Sequence, residues 1–170
     1  MTKSELSDAE RAELHSDAIS ICQTLIRIPS VNYGDGKGDE AAVAAKVVEL
    51  LLEAGIDSEI FESAPGRCNV IAHIKGVDEK RPGLVVHGHL DVVPANADDW
   101  SVDPFSAEIK DGMIWGRGAV DMKNMDAMII AIFRMWARKG IKPPRNIVLA
   151  FFADEEAGSL FGTRWMVAKH

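Results

Sequence analysis

Residues 146–153 read NIVLAFFA, apolar almost throughout, and are followed at once by Asp154, Glu155 and Glu156. A run this short has the length of a strand, far below the ~20 apolar residues of a membrane span. Without polar alternation it must be covered on both faces, so helices are needed on either side of the sheet that holds it. Helical and strand patterns do alternate along the rest of the chain. The expected fold is therefore α/β, three layers (α/β/α) around a mixed, largely parallel sheet.

The surrounding elements follow from periodicity. Ser7 and Glu10 have capping-box spacing, and Leu14, Ala18, Ile21, Cys22 and Leu25 then recur on one helical face up to Pro29. A second helix is expected from about Asp39, with Val43, Val47, Leu50, Leu51 and Ala54 as its stripe and Gly55 closing it. Ser58 to Glu62, Asn69 to Lys75 and Gly83 to His87 read as strands, as does the short Met113 to Trp115. A third helix is expected from about Asp121, striped by Met125, Met128, Ile129, Ile132, Phe133 and Trp136, and a last one from Ser159. The 170 residues, 47% hydrophobic, suit one soluble domain burying roughly two-thirds of its unfolded surface. A net charge of −7 speaks against a nucleic-acid partner. No run is long enough for a membrane, and the charged start at residues 1–5 is unlike a signal peptide. Two cysteines make no disulfide framework, so a cytoplasmic location is expected.

In sheets of this kind ligands gather beyond the carboxyl ends of strands. Two places qualify: His89-Leu90-Asp91, and the three carboxylates after NIVLAFFA. His and Asp two apart in extended backbone share one side, so the imidazole can take a metal while a carboxylate holds its other N–H. Taken alone, the pair is a weak signal and more simply describes a strand-end histidine beside a solvated aspartate that begins a turn before Pro94. Three adjacent carboxylates repel one another unless a cation compensates them, yet they also suit an acidic cap on the last helix. The segment 116–123, GRGAVDMK, has two glycines for a tight loop and places Asp121 at a helix start. It lacks the third glycine of a dinucleotide fingerprint. Taken together, one imidazole and several carboxylates at element ends suit zinc, with cobalt or manganese as alternatives.

The stretches VVHGHLDVVP (85–94), WSVDPFSAEIKDGMIWGRGAVDMK (100–123) and FFADEEAGS (151–159) resemble the catalytic half of the M20 metallopeptidases. That family of amidohydrolases includes acetylornithine deacetylase, succinyl-diaminopimelate desuccinylase, aminoacylase, carboxypeptidase G2 and several dipeptidases. The resemblance implies two zinc ions, with His89 and Glu156 as metal ligands and Asp121 bridging both. It implies Glu155 as general base, Asp91 as the catalytic residue that orients His89, and a cis peptide between Asp121 and Met122. The implied function is hydrolysis of the amide bond of a peptide or N-acyl amino acid by a metal-bridged water. It also implies that residues 1–170 are the N-terminal part of a catalytic domain. A lid or dimerisation domain, further metal ligands and the homodimer contact would then belong to the complete protein, leaving this piece inactive by itself. The competing reading is a metal-free fragment or a partner-binding module of the same fold.

Other residues are expected to be structural. His87 reads as a partly buried strand histidine, His15, His73 and His170 as surface or structural residues, and Met125, Met128 and Met135 as core. Arg134, Arg138, Lys139, Lys142 and Arg145 read as a solvated helix end, Cys22 as buried, and Trp100, Pro104 and Phe105 as packing beneath the site.

Overall fold

The computed structural model describes residues 6–170, so the charged start at residues 1–5 lies outside the described residues. Helix α1 (Asp8–Ile26) opens with the expected capping box: the Glu10 N–H donates to Ser7 Oγ at 3.3 Å and the Ser7 N–H to Glu10 Oε2 at 2.7 Å. Helix α2 (Ala41–Leu52) is followed by Gly55 at φ +74°, a left-handed turn that a side chain would strain. Then come β1 (Ser58–Glu62), β2 (Cys68–Ile74), β3 (Leu84–His89), β4 (Glu108–Lys110), β5 (Met113–Trp115), α3 (Lys123–Arg138), β6 (Ile147–Phe152) and α4 (Thr163–Lys169).

The main sheet has the order β1-β2-β6-β3, with the apolar β6 inside it as expected. β1–β2 and β2–β6 are antiparallel and β3–β6 parallel. The sheet is mixed, but only one of its three pairings is parallel, where a largely parallel sheet was expected. The reason is local: β1 and β2 form a hairpin, and β6 enters between β2 and β3 against the direction of β2. Alternation along the strands makes two faces. Val70, Ala72, Leu149 and Phe151 point to the large core shared with α1, α2 and α3, while Ile71 and Ala150 meet Met166 of α4 on the other side. Three layers result. β4 and β5 form a separate small hairpin, and β4 had no sequence signal because its residues are all exposed.

Three expectations about packing are corrected. Met125 and Met128 are 46% and 42% exposed, and only Met135 of the three methionines is core. Ile129 and Phe133 of the expected stripe are core, and the buried face of α3 widens from them to Ala127, Ile130, Ala131 and Arg134, because it packs between α1 and the sheet. Arg134 is not solvated: it is buried and reaches Glu53 at 2.9 Å and Asp17 at 3.4 Å, tying α3 to α2 and α1. His87 is exposed rather than partly buried, because β3 is an edge strand with one side unpaired among the described residues.

This burial pattern predicts unequal outcomes for two substitutions on one helix. Ile130→Ala should cost about 3 kcal/mol in urea unfolding, the usual loss for a fully buried aliphatic. Met128→Ala should cost under about 1 kcal/mol. Equal losses would put the buried face where the methionine stripe had it.

Candidate metal and catalytic site

β3 and β6 run parallel with His89 opposite Phe152, so the segments leaving their carboxyl ends are neighbours. The Leu90 N–H continues the ladder to the Phe152 carbonyl at 2.8 Å. That register sets His89-Leu90-Asp91 beside Asp154-Glu155-Glu156. Asp91 then joins them. Fully buried, its Oδ1 accepts from the Glu155 N–H at 3.0 Å, and its Oδ2 accepts from the Glu156 N–H at 3.1 Å and Asn32 Nδ2 at 2.8 Å. Burial works against its charge, but the bonds from His89, Asn32 and the two amides outweigh it and hold the carboxyl below its ordinary range.

His89 is 5% exposed and is held from both ring nitrogens. Nδ1 lies 3.0 Å from the Asp91 carbonyl oxygen and 3.5 Å from Asp91 Oδ1; Nε2 lies 2.9 Å from Asp121 Oδ1 and 3.8 Å from Glu155 Oε2. Burial disfavours the imidazolium, yet Asp91 and Asp121 overcome it and push the pKa up to about 10.

The third segment arrives through a tight loop. A Cβ on Gly116 would stand 2.6 Å from Ile26 Cγ2, and one on Gly118 2.7 Å from Val92 Cγ1, so neither position tolerates a side chain. Lys123 is buried and fastens the start of α3 by donating from Nζ to the Leu25 and Ile28 carbonyls at 2.9 and 2.8 Å. The Asp121–Met122 peptide is cis, and the Asp121 side chain is 72% exposed.

His89, Asp121 and Glu156 each offer a ligand atom, and the three atoms lie within 4.8 Å of one another. Burial and the neighbouring Asp121 carboxylate raise the Glu156 pKa, as in a cluster short of positive charge. One nitrogen and two carboxylate oxygens are a donor set that fits zinc or a similar divalent ion. A cation would displace the proton from Nε2 while the Asp91 carbonyl keeps the one on Nδ1. Glu155 is half exposed beside this group.

Asp154, the first of the three carboxylates, faces inward. It is buried at φ +62° and accepts from Arg67 Nη2 at 2.8 Å, Asn32 Nδ2 at 3.0 Å and the Phe161 N–H at 3.1 Å. Arg67 is itself buried and also meets Glu40 at 2.9 Å. Sequence reading missed Asn32 and Arg67: one sits in a loop and the other in a hairpin turn, where polar residues carry no signal. His170 lies elsewhere, against Phe61 and Trp165. Pro104 is buried as expected, while Trp100 carries the Arg117 guanidinium over its ring.

Two cavities flank the group. One of about 380 Å³ is lined by His87, Glu155, Ser159, Thr163 and Arg164, and the other, about 480 Å³, by Val93, Trp100, Arg117, Asp121 and Glu156. Because Asn32 serves two buried carboxylates at once, Asn32→Leu should cost on the order of 3 kcal/mol in denaturant unfolding. A loss below about 1 kcal/mol would mean that the network is dispensable.

Residues 85–170 match the model of Peptidase family M20/M25/M40. A succinyl-diaminopimelate desuccinylase from Parvibaculum lavamentivorans is 38% identical over 155 residues, which is 90% of this chain and 38% of that protein. The chain thus spans about two-fifths of the length of the curated relatives it matches. Among solved structures, the M20 family metallo-carboxypeptidase Sso-CP2 from Sulfolobus solfataricus superposes with a TM-score of 0.70 at 25% identity, over 82% of this chain and 31% of that one. Human carnosine dipeptidase 1 gives 0.75 at 22% identity, over 94% and 36%, a likeness of fold. No described helix is long and apolar enough to cross a membrane. With half its length matching the family model, on a mixed α/β fold shared with M20 structures, the chain belongs to peptidase family M20/M25/M40.

Proposed function

We propose that these residues form the catalytic centre of a metal-dependent amide hydrolase acting on a peptide or N-acyl amino acid. The observation that carries this reading is the convergence of His89, Asp121 and Glu156 within 4.8 Å beside a half-exposed Glu155. Two divalent ions are proposed, zinc first, and His89, Asp121 and Glu156 are the residues of this chain that would hold them. When bound, they supply Lewis acidity, making a water acidic near neutral pH and polarising the scissile carbonyl.

The protein's own groups do the rest. Asp91 fixes the two amides that carry Glu155 and Glu156 and, through its carbonyl, the His89 tautomer. Glu155 receives the proton of the attacking water as the oxygen adds to the carbonyl carbon. It then gives that proton to the amine nitrogen as the C–N bond breaks, so it ends the cycle ionised again. The relatives' name, succinyl-diaminopimelate desuccinylase, and the dipeptidase neighbours support an amide of a small acyl amino acid or peptide. On the same reading residues 1–170 are the N-terminal part of the catalytic domain, and the remaining ligands and lid belong to the length that the relatives have beyond the match.

In the complete enzyme, Glu155→Gln should lower kcat roughly 10²–10⁴-fold with metal content unchanged by elemental analysis. Retained turnover would remove Glu155 from that role. Glu156→Ala should instead release metal, and dialysis against a chelator should abolish activity until zinc, cobalt or manganese is returned. Activity that survives complete metal removal would overturn the proposal.

A further inference from the structure

The connecting end of the β1–β2 hairpin lies behind the segment that carries Glu155 and Glu156, and three side chains there grip that segment at separate points. Asn69 is fully buried; its Oδ1 accepts from the Ala153 N–H at 3.0 Å and its Nδ2 donates to the Phe161 carbonyl at 3.0 Å. Ser63 Oγ donates to the same carbonyl at 2.6 Å. Arg67 Nη2 donates to Asp154 Oδ1 at 2.8 Å, and its guanidinium lies over the Phe161 ring, 5.4 Å from the centroid. Residues 153–161 are thus fastened to one hairpin end at Ala153, at Asp154 and at Phe161.

Arg67 is buried, and its Nε and Nη1 have no hydrogen-bond partner, so its charge rests on two buried carboxylates, Asp154 and, at 2.9 Å, Glu40. Gly38 closes over it: a Cβ there would stand 2.3 Å from Nη1. Ion pairs this deep are a weak source of stability beside apolar packing. What this one holds is a costly backbone conformation, because Asp154 stands at φ +62°, in the left-handed region. After that turn the next two amides, of Glu155 and Glu156, both reach the Asp91 carboxylate, at 3.0 and 3.1 Å. The Glu155 side chain has no comparable restraint of its own. Among the described residues, the only basic side-chain nitrogen within 4.0 Å of its carboxylate is His89 Nε2, at 3.8 Å, too far for a hydrogen bond. Its direction is set from behind, by its backbone.

We propose that Arg67, held by Glu40, is a positioning residue for Glu155: it keeps Asp154 in its left-handed turn and so aims the Glu155 carboxylate at the reacting atoms. Asn69 and Ser63 secure the ends of the same segment. The inference rests on the amide-hydrolase reading for the role of Glu155, and adds the groups that set its direction.

The test uses the complete, metal-loaded protein and two substrates with one acyl group, an amide and an activated phenyl ester. The amine of the amide leaves with a proton from Glu155, whereas the activated phenolate leaves without one, so the amide depends more steeply on where Glu155 points. With rates taken per metal-loaded subunit, Arg67→Met should lower kcat for the amide roughly 10²-fold, the scale of loss from a misplacement of about 1 Å. KM should change little and the ester should lose less. Arg67→Lys should restore part of the amide rate. Ser63→Ala, which removes one partly buried hydrogen bond and leaves every buried charge paired, should lower the amide-to-ester ratio about two- to tenfold. Hydrogen exchange of residues 153–162 should quicken in Arg67→Met and Ser63→Ala. Equal losses on amide and ester, as a smaller folded fraction would give, or unchanged rates in folded Arg67→Met, would overturn the assignment. If Arg67→Met does not fold, an unchanged ratio in Ser63→Ala overturns it. Faster exchange at 153–162 in variants of a protein that hydrolyses neither substrate would sustain the grip on the segment and contradict the hydrolase reading instead.

Discussion

The buried carboxylate of Asp91 is the contact on which the site depends. An ionised group without solvent must be compensated, and Asp91 is compensated by donors that belong to the site itself: the amides of Glu155 and Glu156, the Asn32 side chain and His89. Charge therefore does the work of geometry. The end of β3 cannot move relative to the end of β6 without exposing a buried anion to unpaired surroundings. A second buried carboxylate, Asp154, repeats the arrangement through Asn32 and Arg67.

The polar network works only because the scaffold brings the ends together. β3 and β6 are parallel neighbours, so both chains leave the sheet on the same side. The glycines at 116 and 118 let the third segment pass against Ile26 and Val92, and Lys123 anchors it under the end of α1. Asp121 thus reaches His89 from the segment that leads into α3, which is not a strand of the sheet. Rigid backing behind an exposed carboxylate pair leaves Glu155 and Asp121 accessible while their backbones are fixed.

Much of this was legible in the sequence, and the reason differs from residue to residue. His89 and Asp91, and likewise Glu155 and Glu156, stand directly after strand patterns, so topology pointed to both places, whereas Asp121 joined them only through the ordered set and the resemblance that GRGAVDMK carries. Residues 146–153 gave their position inside the sheet because no edge strand is so evenly apolar. Asn32 and Arg67 were invisible because loops and turns are polar anyway. Asp154 was misplaced as an equal of its two neighbours, since three adjacent carboxylates do not reveal which one turns inward. On α3 the stripe was right at Ile129 and Phe133 but not at Met125 and Met128: Lys123, Asp126 and Arg134 are buried as well, and a pattern of apolar residues cannot point to the part of a face that holds charges. His87 depended on whether β3 is paired on both sides, which its own residues do not say.

The central claim is that this chain's own His89, Asp121 and Glu156 hold a divalent cation. The most direct measurement is zinc retained per subunit of the complete protein after equilibration and dialysis, read together with X-ray absorption at the zinc edge. The account predicts bound zinc with imidazole and oxygen donors, no sulfur, and loss of the imidazole signal with most of the metal in His89→Ala. No retained zinc, sulfur ligation through Cys22 or Cys68, or retention indifferent to His89→Ala would contradict it.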